Sequence, residues 1–273
     1  MLRINALEER ARRAARRYDG LSIAIIGCAA EGIPAEWCPM DVVVFPSEEE
    51  GQEIWRERGS VVRIIAARRP PREEIPSMII VDDRSMEAAA LKASWKDRRE
   101  ELARAVARRD AMDAAESTAR GLEAADATAV YYYAMKSFSL LTSSAVAAAG
   151  SIPRPAHLVR QARALDVLPP GPPGELAHVK RVVDAVGRIL YSELDEEVEG
   201  YVFRRKAEAL IESGLLLDAI TLAFYEVSRR IGDDLALAHM RSAWSPEDGR
   251  AFLMKLAAEE SRIWRYIRKS GRG

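Results

Sequence analysis

Four apolar residues run together from Ile23 to Ile26, Gly27 interrupts them, and Val42 to Phe45 start the run again. Short continuous runs of this kind, rich in β-branched residues and bounded by glycine or proline, read as buried strands. The stretch from Leu21 to Pro46 is therefore expected to form strand, tight glycine turn, short helix and second strand, with Asp41 at the second strand's mouth facing the Gly27 turn. Ahead of it, Leu7, Ala11, Ala14, Ala15 and Tyr18 recur at helical spacing among arginines, which predicts an amphipathic helix over Leu2 to Tyr18 closed by Asp19-Gly20. Behind it, Ser47 to Arg58 reads as a helix, with Ser47 as cap, Glu48, Glu49 and Glu50 in the first turn, and Gly59 as terminator. Val61 to Ala67 and Met78 to Val81 read as the third and fourth strands, joined by Arg68-Arg69-Pro70-Pro71-Arg72. The fold class expected is α+β: a small mixed sheet with flanking helices, followed by an all-helical bundle.

The change to helix-forming composition sets the expected boundary near Ser85, giving domains 1–85 and 86–273. Met86 to Asp113 reads as one long helix or two collinear ones. Ala115 to Leu165 is the bundle's expected centre, with an apolar helix from Ser137 to Ala149, a turn at Ser151-Ile152-Pro153-Arg154-Pro155 and a new helix near His157. Residues 166–174 include LPPGPPG, which cannot be helical and reads as a linker. Across 175–273, helices are expected at Glu175–Tyr191, Tyr201–Ser213, Leu215–Ile231 and Ser245–Ile267, with Gly200, Gly214 and Gly232 as separators.

Composition narrows the functional classes. At 273 residues with 48% apolar content the chain fills real cores, and a net charge of −1 gives no global field toward nucleic acid or an anionic membrane. Nucleic acid is left with a local arginine patch only, at Arg63, Arg68, Arg69 and Arg72. No secretory signal is read at the N-terminus, where Glu8 and Glu9 sit among arginines, and the thirteen-residue apolar helix is too short to span a bilayer, so a cytoplasmic protein is expected. Cys28 and Cys38 are the only cysteines and read as structural thiols.

The residues around Gly27 carry a resemblance. Gly27, Cys28, Gly32, Pro39 and Asp41 fall on the signature of the nucleotidyltransferase fold, which has Gly-Ser, a second glycine four residues after the serine, then acid-apolar-acid on the next strand. Gly27 and Gly32 match the two glycines and Asp41 matches the second acid; Cys28 stands in place of the serine and Pro39 in place of the first acid. The resemblance implies Mg²⁺ and a nucleoside triphosphate, with paired carboxylates holding two metal ions for attack on the α-phosphate. On this chain it assigns catalysis and metal binding to Asp41 and Asp82, and the triphosphate to Gly27, Cys28, Gly32, Arg63 and Arg68. The helical half is similar to the HEPN and substrate-binding-type domains that accompany such proteins. HEPN ribonucleases carry an arginine four to six residues before a histidine, and none of His157, His178 or His239 has one.

Plainer explanations stand beside each assignment. Val81-Asp82-Asp83 also reads as a turn in which Asp83 or Ser85 caps the next helix. Tyr131, Tyr132 and Tyr133 read as core packing, His157 as a helix-start hydrogen-bonding residue, and Asp195 to Glu199 as solvated helix ends. Three functions follow: a nucleotidyltransferase-like protein with an eroded metal site, serving as a nucleotide- or partner-binding regulatory module; an atypical active Mg²⁺-dependent transferase; or a helical interaction scaffold. Trp264 and Tyr266 near the C-terminus suit a protein partner or a homo-oligomer.

Overall fold

The computed structural model describes residues 2–33, 38–57, 60–174, 178–242 and 244–270. The chain divides into two compact units, residues 1–102 and 103–273.

The first unit runs α1 (Leu2–Ala14), β1 (Ser22–Ile26), α2 (Gly27–Ala30), β2 (Met40–Phe45), β3 (Gly51–Glu57), β4 (Ser60–Ala66), β5 (Ile79–Asp82) and α3 (Glu87–Trp95). The five strands form one mixed sheet in the order β3-β4-β2-β1-β5. Strand β1 is antiparallel to β2 and β5, β2 is parallel to β4, and β3 is antiparallel to β4. Side chains alternate across the sheet as strand geometry requires. Ile23, Ile25, Val42, Val44, Val62 and Ile64 meet Ala11 and Ala14 of α1, and Ala15 just after it, on one face. Ala24, Ile26, Val43 and Phe45 meet Ile75, Met78 and Ala88 on the other. Covered on both faces, β1 and β2 are buried along their whole length, which is why Ile23–Ile26 and Val42–Phe45 within them read as unbroken apolar runs.

One sequence expectation fails here. Ser47 to Arg58 is not a helix, because residues 51–57 form β3, hydrogen-bonded to β4 along its length. Tertiary pairing overrides the acidic helix-start pattern: Trp55 packs into the core while the charged residues of β3 line the outer edge of the sheet, as suits an edge strand. Only two residues, Arg58 and Gly59, separate β3 from β4, a spacing that signals a hairpin. The expected terminator Gly59 itself lies outside the described residues, as does the helix start expected at Glu175.

Asp83 does what a capping residue does. Its carboxylate accepts from the amides of Ala88 and Ala89 at the start of α3 and from the Ser22 hydroxyl at 2.7 Å. A short 3₁₀ turn at residues 96–98 separates α3 from α4 (Arg99–Glu123), so of the one helix or two expected over Met86–Asp113 the structure has two, the second running ten residues further.

The second unit adds α5 (Ala127–Ala148), α6 (Leu158–Ala164), α7 (Val179–Arg188), α8 (Glu197–Glu212), α9 (Leu216–Arg230), α10 (Asp233–His239) and α11 (Pro246–Ser270). Helix α5 is its buried axis, and its small hydroxyls face inward with partners. Ser144 donates to the Ala107 carbonyl at 2.8 Å, Ser139 to the Thr221 carbonyl at 3.0 Å, and Ser143 to Asp110. Gly200, expected to separate helices, sits inside α8. A Cβ there would come within 3.3 Å of the Tyr191 backbone nitrogen, so this glycine permits close packing instead of ending a helix.

Candidate functional site

The turn between β1 and α2 places Gly27 at φ +71°, a left-handed conformation that glycine adopts without strain. Antiparallel pairing sets Ile26 opposite Asp41, so the turn and the acid meet at one end of the sheet. They are in close contact: a Cβ at Gly27 would lie 3.1 Å from Asp41 Oδ2. The other carboxylate oxygen of Asp41, Oδ1, accepts from Arg63 Nε at 2.9 Å. Arg63 is the residue in register with Asp41 on the parallel neighbour β4, and both side chains are about seven-eighths buried, at 13% and 12% exposure. Glu74, from the loop between β4 and β5, completes the constellation by accepting from the Gly27 amide at 3.0 Å.

The seven residues assigned from sequence fall into two groups. Gly27, Cys28, Asp41 and Arg63 lie at this end of the sheet, and Gly32 follows directly as α2 closes. Asp82 and Arg68 do not. Asp82 lies opposite Ile23 at the far end of β1, two strands from Asp41. Two strand spacings of about 4.8 Å and three residues of about 3.3 Å set their backbones roughly 14 Å apart. Asp82 also faces the α1 side, lining a cavity of about 310 Å³ with Arg12, Arg16 and Tyr18. Arg68 lies beyond the end of β4 and pairs loosely, at 3.9 Å, with Glu50.

These residues do not fit the metal pair that the resemblance implies. Two-metal chemistry needs several carboxylate oxygens converging on one point. At this end Pro39 offers no side-chain ligand, Asp41 is committed to Arg63, Glu74 is on the Gly27 amide, and Asp82 is elsewhere. Cys28 and Cys38 are not joined in a disulfide, although their sulfurs lie within 4.8 Å of one another.

Sequence reasoning missed Glu74 and the direct pairing of Asp41 with Arg63. The pairing follows from the parallel register of β2 on β4, which sets the second residue of one strand beside the fourth of the other. Glu74 had no signal in the sequence, because its loop doubles back across the sheet and only the folded chain shows where it lands.

The other polar clusters are ties within the helical unit. Tyr131 shares a hydrogen bond of 2.6 Å with His178, and Tyr132 donates to Asp233 at 2.7 Å. Burial, followed by the charge of Arg181, pushes the His178 pKa down. Arg230 gathers Glu196, Glu199 and Glu226 within 3.4 Å, so part of the acidic run near 195–199 is a half-buried ion network and not only solvated helix ends. His157 is buried directly before α6.

Neither a scan against protein-family models nor a search of the curated proteins finds a match. Among the described residues, no helix is long and apolar enough to cross a membrane.

Proposed function

We propose that this chain is a nucleotidyltransferase-like protein that has kept the glycine turn and one acid of the site while losing the metal chemistry. It serves in the cytoplasm as a nucleotide- or partner-binding regulatory module. One observation carries the reading: Gly27 and Asp41 meet at one end of the sheet, with a Cβ at the glycine only 3.1 Å from the carboxylate. The left-handed turn presents a backbone amide that already holds an anionic oxygen, from Glu74. Amides aimed in this way also take phosphate oxygens, so an incoming phosphate exchanges with the Glu74 carboxylate. An active Mg²⁺-dependent transferase would need Asp82 beside Asp41, and the register of β1 sets them at opposite ends.

Calorimetric titration with ATP, CTP, GTP and UTP tests the reading. At least one triphosphate binds, and Glu74→Gln binds it more tightly because the competing carboxylate is gone. Absence of binding by all four, in wild type and variant alike, abandons the nucleotide and leaves a helical interaction scaffold.

A further inference from the structure

The Asp41–Arg63 pair has a consequence for which ligands this end of the sheet accepts. We infer that Arg63 is the built-in cation of the site: its guanidinium occupies the position on Asp41 that a divalent metal would take. Asp41 therefore holds no Mg²⁺ or Mn²⁺, and a nucleoside phosphate at the Gly27 turn is bound without one. The second half rests on the function proposed above, and the first half on geometry alone.

Three features carry it. The pairing is set by the backbone, since Asp41 and Arg63 are register partners on adjacent parallel strands and their side chains leave the same face. It is also shielded, because neither side chain is more than 13% exposed, and in so poorly hydrated a position a second cation beside the guanidinium meets strong repulsion. Finally, Asp41 Oδ1 accepts from Arg63 Nε at 2.9 Å, while Oδ2 is turned toward Gly27, 3.1 Å from where a Cβ on that residue would sit, so the guanidinium and the turn flank the carboxylate on two sides. Mg²⁺ can be held by one or two carboxylates plus phosphate oxygens, but that carboxylate has to be open to the metal. A guanidinium supplies fixed positive charge and donors that match phosphate, so the local chemistry favours a phosphate without a metal over a metal–phosphate complex.

Mn²⁺ binding followed by electron paramagnetic resonance on the full chain tests the first half directly, because Mn²⁺ is a hard cation that reads oxygen ligands. Wild type shows no Asp41-dependent site. Arg63→Asp places a second carboxylate in register with the first and gains Mn²⁺ affinity by at least about tenfold, through ligand charge. Adding Asp41→Asn to that variant removes the gain. Arg63→Gln, which keeps hydrogen-bonding capacity and removes the charge, gives a smaller gain and carries the test should Arg63→Asp fail to fold by circular dichroism. A wild-type Mn²⁺ site abolished by Asp41→Asn overturns the inference, and so does the absence of any gain in a folded Arg63 variant.

Titration with ATP in EDTA and again in MgCl₂ tests the second half: equal affinity in the two buffers is expected, and binding that requires Mg²⁺ overturns it. Binding in neither buffer removes the proposed nucleotide function, while the Mn²⁺ result still decides the role of Arg63.

Discussion

The two units use buried polarity in opposite ways. In the sheet unit, charge collects at one strand end around a left-handed glycine, where Asp41, Arg63 and Glu74 converge on a turn. In the helical unit, polar groups are spread along helices as ties. Asp110 is fully buried between Arg229, Arg109 and Ser143, while Glu260 accepts from Thr118, which also bonds Ser137. The difference teaches that burial of a charge does not by itself mark a site. A helix bundle whose axis is lined with serines has to satisfy each hydroxyl, and these ties fix which helix faces meet. The sheet end differs because its groups surround a backbone turn and a convergent carboxylate.

Substitutions separate a tie from a site. The largest effect is expected for Arg229→Ala, which removes the less exposed of the two arginines paired with the fully buried Asp110 and leaves the half-exposed Arg109. That loss costs about 3 kcal/mol in urea unfolding, and a loss below about 1 kcal/mol would mean that Asp110 is not held as a tie. Next comes a matched pair in the sheet unit, Gly27→Ala and Gly32→Ala. Both glycines are left-handed, at φ +71° and +70°, but only Gly27 faces Asp41, while Gly32 faces open space. Gly32→Ala is expected to cost about 1 kcal/mol for the backbone alone, and Gly27→Ala about 2 kcal/mol. Equal costs would mean that Asp41 does not crowd the Gly27 turn.

Two smaller effects have opposite signs with pH. The Asp83 pKa is lowered, because burial, which raises it, is outweighed by the Ser22 hydroxyl and the amides of Ala89, Ala88 and Glu87. A lowered folded-state pKa stabilises above the ordinary value of 3.8, and the contribution is lost as pH falls through the folded value. Asp83→Ala is thus expected to cost about 1 kcal/mol at neutral pH, the difference closing in acid. The Glu260 pKa is raised by burial, with the Thr118 hydrogen bond opposing. A raised folded-state pKa makes the charged form a burden that grows as pH rises through it and is absent below the ordinary 4.5. Glu260→Gln is expected to gain up to about 1 kcal/mol at pH 8 and nothing in acid, read from thermal unfolding across pH. A gain at all pH values would trace to packing instead.

How far the fold was legible follows from where the forces act. Strands β1 and β2 announce themselves because burial on both faces makes Ile23–Ile26 and Val42–Phe45 continuous apolar runs, with polar residues, Ser22 and Asp41, only near the strand starts. Helix α11 is equally plain, its Ser245-Pro246-Glu247-Asp248 start borne out by a cap in which the Ser245 hydroxyl accepts from the Asp248 amide. Strand β3 was hidden because its residues are half exposed and its stability comes from pairing with β4, while the run Glu48-Glu49-Glu50 imitates a helix start. Of the site, Gly27 and Asp41 were legible from local spacing. The displacement of Asp82 was not, since it follows from the antiparallel register of β5 on β1, where the pairing shifts at Ile23/Ala24.

A transfer assay reaches the central claim most directly. The full chain is incubated with triphosphates labelled at the α-phosphate, Mg²⁺ and a mixture of protein, RNA and small hydroxyl acceptors, and covalent label is measured. With Asp41 held by Arg63 and Glu74 held by the Gly27 amide, the account predicts no label above the level given by Asp41→Asn. Label that depends on Mg²⁺ and vanishes in Asp41→Asn would contradict it, and would mean that Asp41 leaves Arg63 to serve a metal.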